Sequence, residues 1–168
     1  MTFEDAKKEF ISNWGALGSH WGISRTMAQI YALLLISADP ITQEDIMNEL
    51  QFSRGSVNMN IRELIDWGIV DRVIISGERK EFFTAEKDIW KASAQIIKER
   101  KKRELDPLIK LLKQLEHIDG DKKDKNIKQF TNTIKDIRRM GIGATKMLDM
   151  VYDPKGNWLL DSISKFFK

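Results

Sequence analysis

At 168 residues, with 42% hydrophobic and 32% charged side chains, the chain has room for one domain, or for one domain with helical extensions, and enough apolar material for a core. Its longest apolar run, Ile30 to Ile36, falls far short of the roughly 20 residues of a membrane span, and the acidic start Met1-Thr2-Phe3-Glu4-Asp5 is unlike a secretion signal, so a cytoplasmic location is expected. The absence of cysteine excludes disulfides, thiolate metal sites and cysteine nucleophiles.

The net charge of +3 conceals a gradient, from −4 over residues 1–50 through zero over 51–87 to +7 over 88–168. Lysine-rich solvated helix faces produce such a gradient as readily as selection for a polyanion, so charge alone names no partner.

In chain order the pattern is helical, then briefly strand-like, then helical again. Residues 3–14 place Phe3, Ala6, Phe10 and Trp14 near helical spacing, and Gly15, Gly18 and Gly22 are expected to break the next stretch. A second helix starts near Ser24, a good cap, and its nearly continuous apolar run marks it as the buried central helix; Asp39-Pro40 ends it. Thr42-Gln43-Glu44-Asp45 is a capping box that opens a short helix carrying Ile46 and Leu50. Ser53 starts the next, with Val57, Ile61, Leu64 and Ile65 as its apolar stripe and Trp67-Gly68 as its stop.

After Gly68 the chemistry changes. Ile69 to Ile75 is β-branched and short, Ser76 to Lys80 is a polar turn, and Glu81 to Thr84 reads as the returning strand of a hairpin. From Asp88 the chain is expected to be helical in three pieces: about 88–117 with a kink at Pro107, about 124–151 after a charged loop, and a short helix after Pro154 carrying Trp158, Leu159, Ile163, Phe166 and Phe167.

A short helix, a turn, a second helix and a hairpin with a basic tip form the winged helix-turn-helix arrangement, in which the second helix enters the major groove and the hairpin reaches the flanking backbone or minor groove. The fold class expected is therefore mostly α: a winged helix-turn-helix domain at residues 1–87 with its β-hairpin wing, and long dimerisation helices at 88–168. Arg54, Asn58, Met59 and Arg62 fall on or near the open side of the second helix, where arginine and asparagine suit guanine and adenine edges. Ser53 and Ser56 suit phosphate, and Arg79 and Lys80 sit at the hairpin tip.

The run Ser53-Arg54-Gly55-Ser56-Val57-Asn58-Met59-Asn60-Ile61-Arg62-Glu63-Leu64, followed by Trp67-Gly68-Ile69-Val70, resembles the recognition helix of the MarR superfamily, and within it the GbsR-like (glycine betaine synthesis repressor) branch. The wing Gly77-Glu78-Arg79-Lys80-Glu81-Phe82-Phe83 is similar to that branch's glycine–acidic–arginine tip, and Ile30 to Leu35 resembles its buried helix. The likeness covers residues 24–86. It implies a dimeric, DNA-binding transcriptional regulator, a repressor released by a small effector, rather than an enzyme.

The same likeness suggests a choline-type ligand. Trp14, Trp21 and Tyr31 are candidates for an aromatic cage around a quaternary ammonium, with helix packing as the alternative role. The other alternative is a winged-helix interaction module that binds no DNA.

No cofactor or metal is expected. His20 and His117 lie far apart in sequence without further ligands around them. Glu44-Asp45 diverge on a helix, Asp119 and Asp121 fall in a solvated loop, and Gly141-Ile142-Gly143 lacks the strand-to-helix setting of a phosphate loop. On the helix at 124–151, Ile127, Phe130, Ile134, Ile137, Ala144, Leu148 and Val151 follow 3–4 spacing and are expected to build the dimer interface, against Leu105, Leu108, Leu112 and Leu115 of the same chain as the alternative.

Overall fold

Thr2 opens the first helix. Its hydroxyl accepts the Asp5 N–H while the Asp5 carboxylate accepts from the Thr2 N–H and hydroxyl, a reciprocal cap that satisfies donors a helix start leaves orphaned. The computed structural model describes residues 1–120 and 123–152, in two units divided between Ala92 and Ser93.

Helix α1 runs from Phe3 to His20, well past Trp14. Gly15 and Gly18 do not break it, contrary to the expectation from sequence; with Ile11 they are its buried face. A Cβ on Gly18 would lie 2.5 Å from the Ala28 Cβ, and one on Gly15 2.5 Å from the Gln29 Cγ, so their missing side chains let α1 close onto α2 (Arg25–Ile36). Gly22, with φ of 78°, makes the actual break. The row Phe3, Phe10, Trp14 is accordingly not the core row: Phe3 is exposed, and the half-buried Phe10 and Trp14 rings stack with centroids 5.3 Å apart.

This geometry separates two glycines that look alike in sequence. Alanine in place of a helical glycine gains about 1 kcal/mol of propensity. Gly15→Ala, whose methyl displaces a flexible glutamine side chain, should therefore leave the unfolding free energy within about 1 kcal/mol of the parent. Gly18→Ala sets methyl against methyl and should cost about 1–3 kcal/mol in urea denaturation. Equal effects at the two positions would contradict the close approach at Gly18.

Helix α2 is capped by Ser24, whose hydroxyl accepts the Met27 N–H, and it is buried almost all round from Met27 to Leu34. At its other end the Lys87 ammonium donates to the carbonyls of Leu34, Leu35 and Ser37 at 2.7, 3.0 and 2.5 Å. A cation at a helix C-terminus meets both its orphan acceptors and its dipole. Burial pushes the Lys87 pKa below the ordinary lysine value.

Three strands form one antiparallel sheet in the order β1-β3-β2: β1 Ile41–Thr42, β2 Val70–Val73 and β3 Phe82–Ala85. Ile41 pairs with Phe83, and Val73 with Phe82, so the wing hairpin carries an extra two-residue strand that the sequence reading did not include. Ile74 and Ile75, expected in the outgoing strand, leave the ladder; Ile74 is 89% exposed in the wing loop. The return strand starts at Phe82 rather than Glu81 and reaches Ala85. Helices α3 (Gln43–Leu50) and α4 (Arg54–Asp66) pack against α2, which also meets β3, and the shared core includes Ile30, Leu34, Ile46, Val57, Ile61, Leu64, Val70 and Phe83.

Helix α5 (Ile89–Arg100) passes through one π-helical turn, Lys101–Leu105, into α6 (Asp106–Leu115). The simple kink expected at Pro107 is replaced by this wider turn. Proline then falls in the first turn of α6. Helix α7 (Lys125–Tyr152) returns along α6, with Gly141 against Ile109 and the Arg138 guanidinium donating through Nε and Nη2 to the two carboxylate oxygens of Glu116. The short helix expected after Pro154, with Trp158, Leu159, Ile163, Phe166 and Phe167, lies outside the described residues.

Candidate nucleic-acid interface

Helix α4 is held at its start and along its inner face. The Ser53 hydroxyl accepts the Ser56 N–H, and the Gln43 side-chain amide donates to the Arg54 carbonyl at 3.0 Å, tying the start of α3 to the start of α4. Asn60 is buried between helices: it donates to the Ser56 carbonyl at 2.8 Å and accepts from the Ser24 hydroxyl at 3.1 Å. A buried amide with both ends satisfied fixes how α4 is rotated against α2.

That rotation decides what faces outward. Val57, Asn60, Ile61 and Leu64 are buried, while Arg54, Gly55, Met59, Arg62 and Asp66 are exposed, Met59 by 64%. Asn58 is half-buried, on the flank of this row rather than opposite the core. Ser53 is exposed but engaged as the cap, and Ser56 is half-buried. The guanidinium groups of Arg54, Arg62 and Arg79 have no hydrogen-bond or ion-pair partner among the described residues.

The wing carries the Arg72–Glu81 ion pair, 2.8 Å, and is turned at Gly77, whose φ of 89° suits glycine. Arg79 at its tip is exposed. Lys80 is exposed too, but its ammonium lies 2.7 Å from the Glu44 carboxylate at the start of α3. That hydrogen bond and its charge push the Lys80 pKa up and hold the Glu44 carboxyl below its usual range. The sequence predicts a capping box that Asp45 closes and two carboxylates that diverge on the helix. The two do diverge: Asp45 closes the cap on Thr42, and Glu44 reaches the wing. Nothing local in the sequence marks a pair 36 residues apart.

Gly55 stands in the first turn of α4 with open space where a Cβ would be. A glycine there costs helix stability without relieving any internal crowding. Gly55→Ala should stabilise the fold by about 0.5–1 kcal/mol. If the space belongs to a DNA backbone or base edge, Gly55→Gln should weaken DNA binding while leaving thermal stability near the parent's. Unchanged binding by the glutamine variant would show that nothing approaches at this position.

The three aromatic candidates are placed differently from one another. Trp21 is 62% exposed, Trp14 is half-buried against Phe10, and Tyr31 is buried, with its hydroxyl pKa pushed up to about 12 by burial and by the charge of Glu86. Among the described residues no three His, Asp or Glu side chains converge as metal ligands would, and no helix is long and apolar enough to cross a membrane.

Two helices, the second with a cationic outer face, and an adjoining antiparallel wing define a winged helix-turn-helix. Residues 21–80 match the family model described as MarR family.

The chain is similar to the HTH-type transcriptional repressor GbsR of Bacillus subtilis, 32% identical over 71 residues, which cover 42% of this chain and 39% of that protein. It is also similar to the HTH-type transcriptional regulator MmpR5 of Mycobacterium tuberculosis, 29% identical over 77 residues covering 45% and 46% of the two chains. The chain thus spans less than half the length of each of these relatives, both of which bear the names of regulators rather than enzymes. A crystal structure of a transcriptional regulator superposes with a TM-score of 0.58 at 17% identity, over 83% of this chain and 95% of that one, a likeness of fold.

Proposed function

We propose that the protein is a sequence-specific, dimeric DNA-binding regulator of transcription in the cytosol, a repressor that a small effector releases. The observation that carries the reading is the outer row of α4. Arg54, Gly55, Met59 and Arg62 are exposed together, with two unpartnered guanidiniums, on a helix whose other face is locked into the core. Such a row offers bidentate donors for guanine, an apolar group for the thymine methyl, and a gap that admits a close backbone. Ser53, Ser56 and Asn58 flank it, and Arg79 and Lys80 supply backbone or minor-groove contacts from the wing.

Dimerisation belongs to the helical unit in this reading. The stripe expected on α7 divides into two rows. Ile127, Ile134 and Leu148 are half-buried on the side of Arg138 and Gly141, which meet α6, whereas Phe130, Ile137 and Ala144 are exposed in line with Met140 and Met147. The side chain of Val151 lies outside the described residues. On α6, Leu108 and Leu111 are exposed as well, while Leu112 is buried. An outer apolar row sustained over several turns suits a second copy of the helix.

The effector class is a quaternary ammonium such as choline or glycine betaine. Trp14 and Trp21 offer the accessible ring faces, and the interior Tyr31 contributes only if the site opens toward the core. Titrating both compounds while following tryptophan fluorescence and DNA release tests it; no response at millimolar levels leaves these rings to packing.

The central experiment is selection of bound duplexes from a random pool, followed by a salt titration. A recovered consensus, with affinity falling as a power of salt concentration, is the expected outcome, because phosphate contacts release counterions. Binding of no DNA at low salt would overturn this reading in favour of a winged-helix interaction module.

A further inference from the structure

The features that would seat a DNA phosphate converge on one spot that already holds an anion. The N-terminus of α3 presents the first-turn N–H groups and the positive end of a helix dipole. Lys80 comes to it from the wing and Arg54 from the recognition helix, and the three line a shared cleft of about 240 Å³ with Thr42, Gln43, Met47, Phe83 and Glu81, whose carboxylate is paired with Arg72. The group in this setting is the Glu44 carboxylate, 2.7 Å from the Lys80 ammonium. The Arg54 charge also acts on it and helps to keep it ionised.

We infer that Glu44 is an internal stand-in for a DNA phosphate, occupying Lys80 in the free protein and surrendering it when the backbone docks. This rests on the DNA-binding reading and adds to it a residue that sets affinity without touching a base. The carboxylate has no cap duty, which Asp45 performs for Thr42, so its charge is not required to start α3. The pair is solvent-exposed on both sides, and ion pairs of that kind are weak enough for a phosphate to displace.

The test compares wild type, Glu44→Gln, Lys80→Ala and the double variant on a random-sequence duplex and on a selected one across a salt series. Glu44→Gln should bind both duplexes about threefold to tenfold tighter at moderate salt, since it removes a competitor and a like charge. Its plot of log affinity against log salt should steepen by up to about one unit, the increment of one further phosphate contact. Lys80→Ala should abolish the gain when added to Glu44→Gln.

Weaker or unchanged binding by Glu44→Gln overturns the inference and makes the pair a brace that positions the wing. A gain that survives Lys80→Ala overturns it as well, in favour of a simple field effect. If wild type itself shows no salt-dependent binding to any duplex, the failure is that of the DNA-binding reading. Circular dichroism melts of the four proteins, expected to coincide within a few degrees, exclude misfolding as the cause.

Discussion

Arg54→Ala combined with Arg62→Ala is expected to weaken binding to a selected duplex by about 10²–10⁴-fold while leaving the urea midpoint where it was. Both guanidiniums are exposed and have no hydrogen-bond or ion-pair partner among the described residues, so their removal breaks no bond described within the fold. A good bidentate base contact at Arg54 is worth about 1–3 kcal/mol, and the loss of a phosphate contact at Arg62 multiplies its effect. The single variants should divide the work. Arg54, at the N-terminal end of α4, is placed for base edges with Asn58 beside it on the flank. Arg54→Ala and Asn58→Ala should therefore reduce the ratio of selected to random affinity more than they reduce random binding. Arg62, two turns further on, is placed for phosphate, so Arg62→Ala should weaken both duplexes alike and flatten the salt slope by about 0.9. Arg79→Ala belongs with Arg62→Ala. Parent-like specificity and affinity in the Arg54/Arg62 double variant would show that another surface meets DNA.

What was legible in the sequence is what short-range chemistry decides. Thr42 with Asp45, Ser53 before Arg54 and Gly68 after Trp67 mark helix ends through bonds spanning only a few residues, and each is found where the pattern places it. The features that escaped depend on what lies opposite. Gly15 and Gly18 read as breakers until α2 is there to need their missing side chains. Strand β1 has two residues, too few for any alternation to show. Lys80 looks like a free cation because Glu44 approaches it from another element. The half-buried position of Asn58 follows from 100° steps around α4, in which residues four apart drift toward one flank instead of staying in line. The same drift merged two rows of α7 into one apparent stripe.

The outer row of α7 carries the second large effect. Met140→Glu with Met147→Glu is expected to turn a dimer into a species of 19.5 kDa in sedimentation at micromolar concentration. Both methionines are more than 70% exposed in the single chain, at 71% and 72%, so the charges disturb no packing within it. Placed in a seam between two copies, they would be buried like charges facing one another, which an apolar interface cannot solvate. Loss of the second copy should then cost at least about 10²-fold in affinity for an operator with two half-sites, because the two recognition helices no longer bind as a linked pair. Leu112→Ala, on the inner row, is the control: it opens a cavity between α6 and its neighbours and should lower stability by about 2–5 kcal/mol. If the outer-row variant loses stability in the same way, that row is packed inside the chain rather than between chains. If the wild-type protein already sediments at the monomer mass, the second-copy assignment fails, and the exposed methionines must be explained by a different partner.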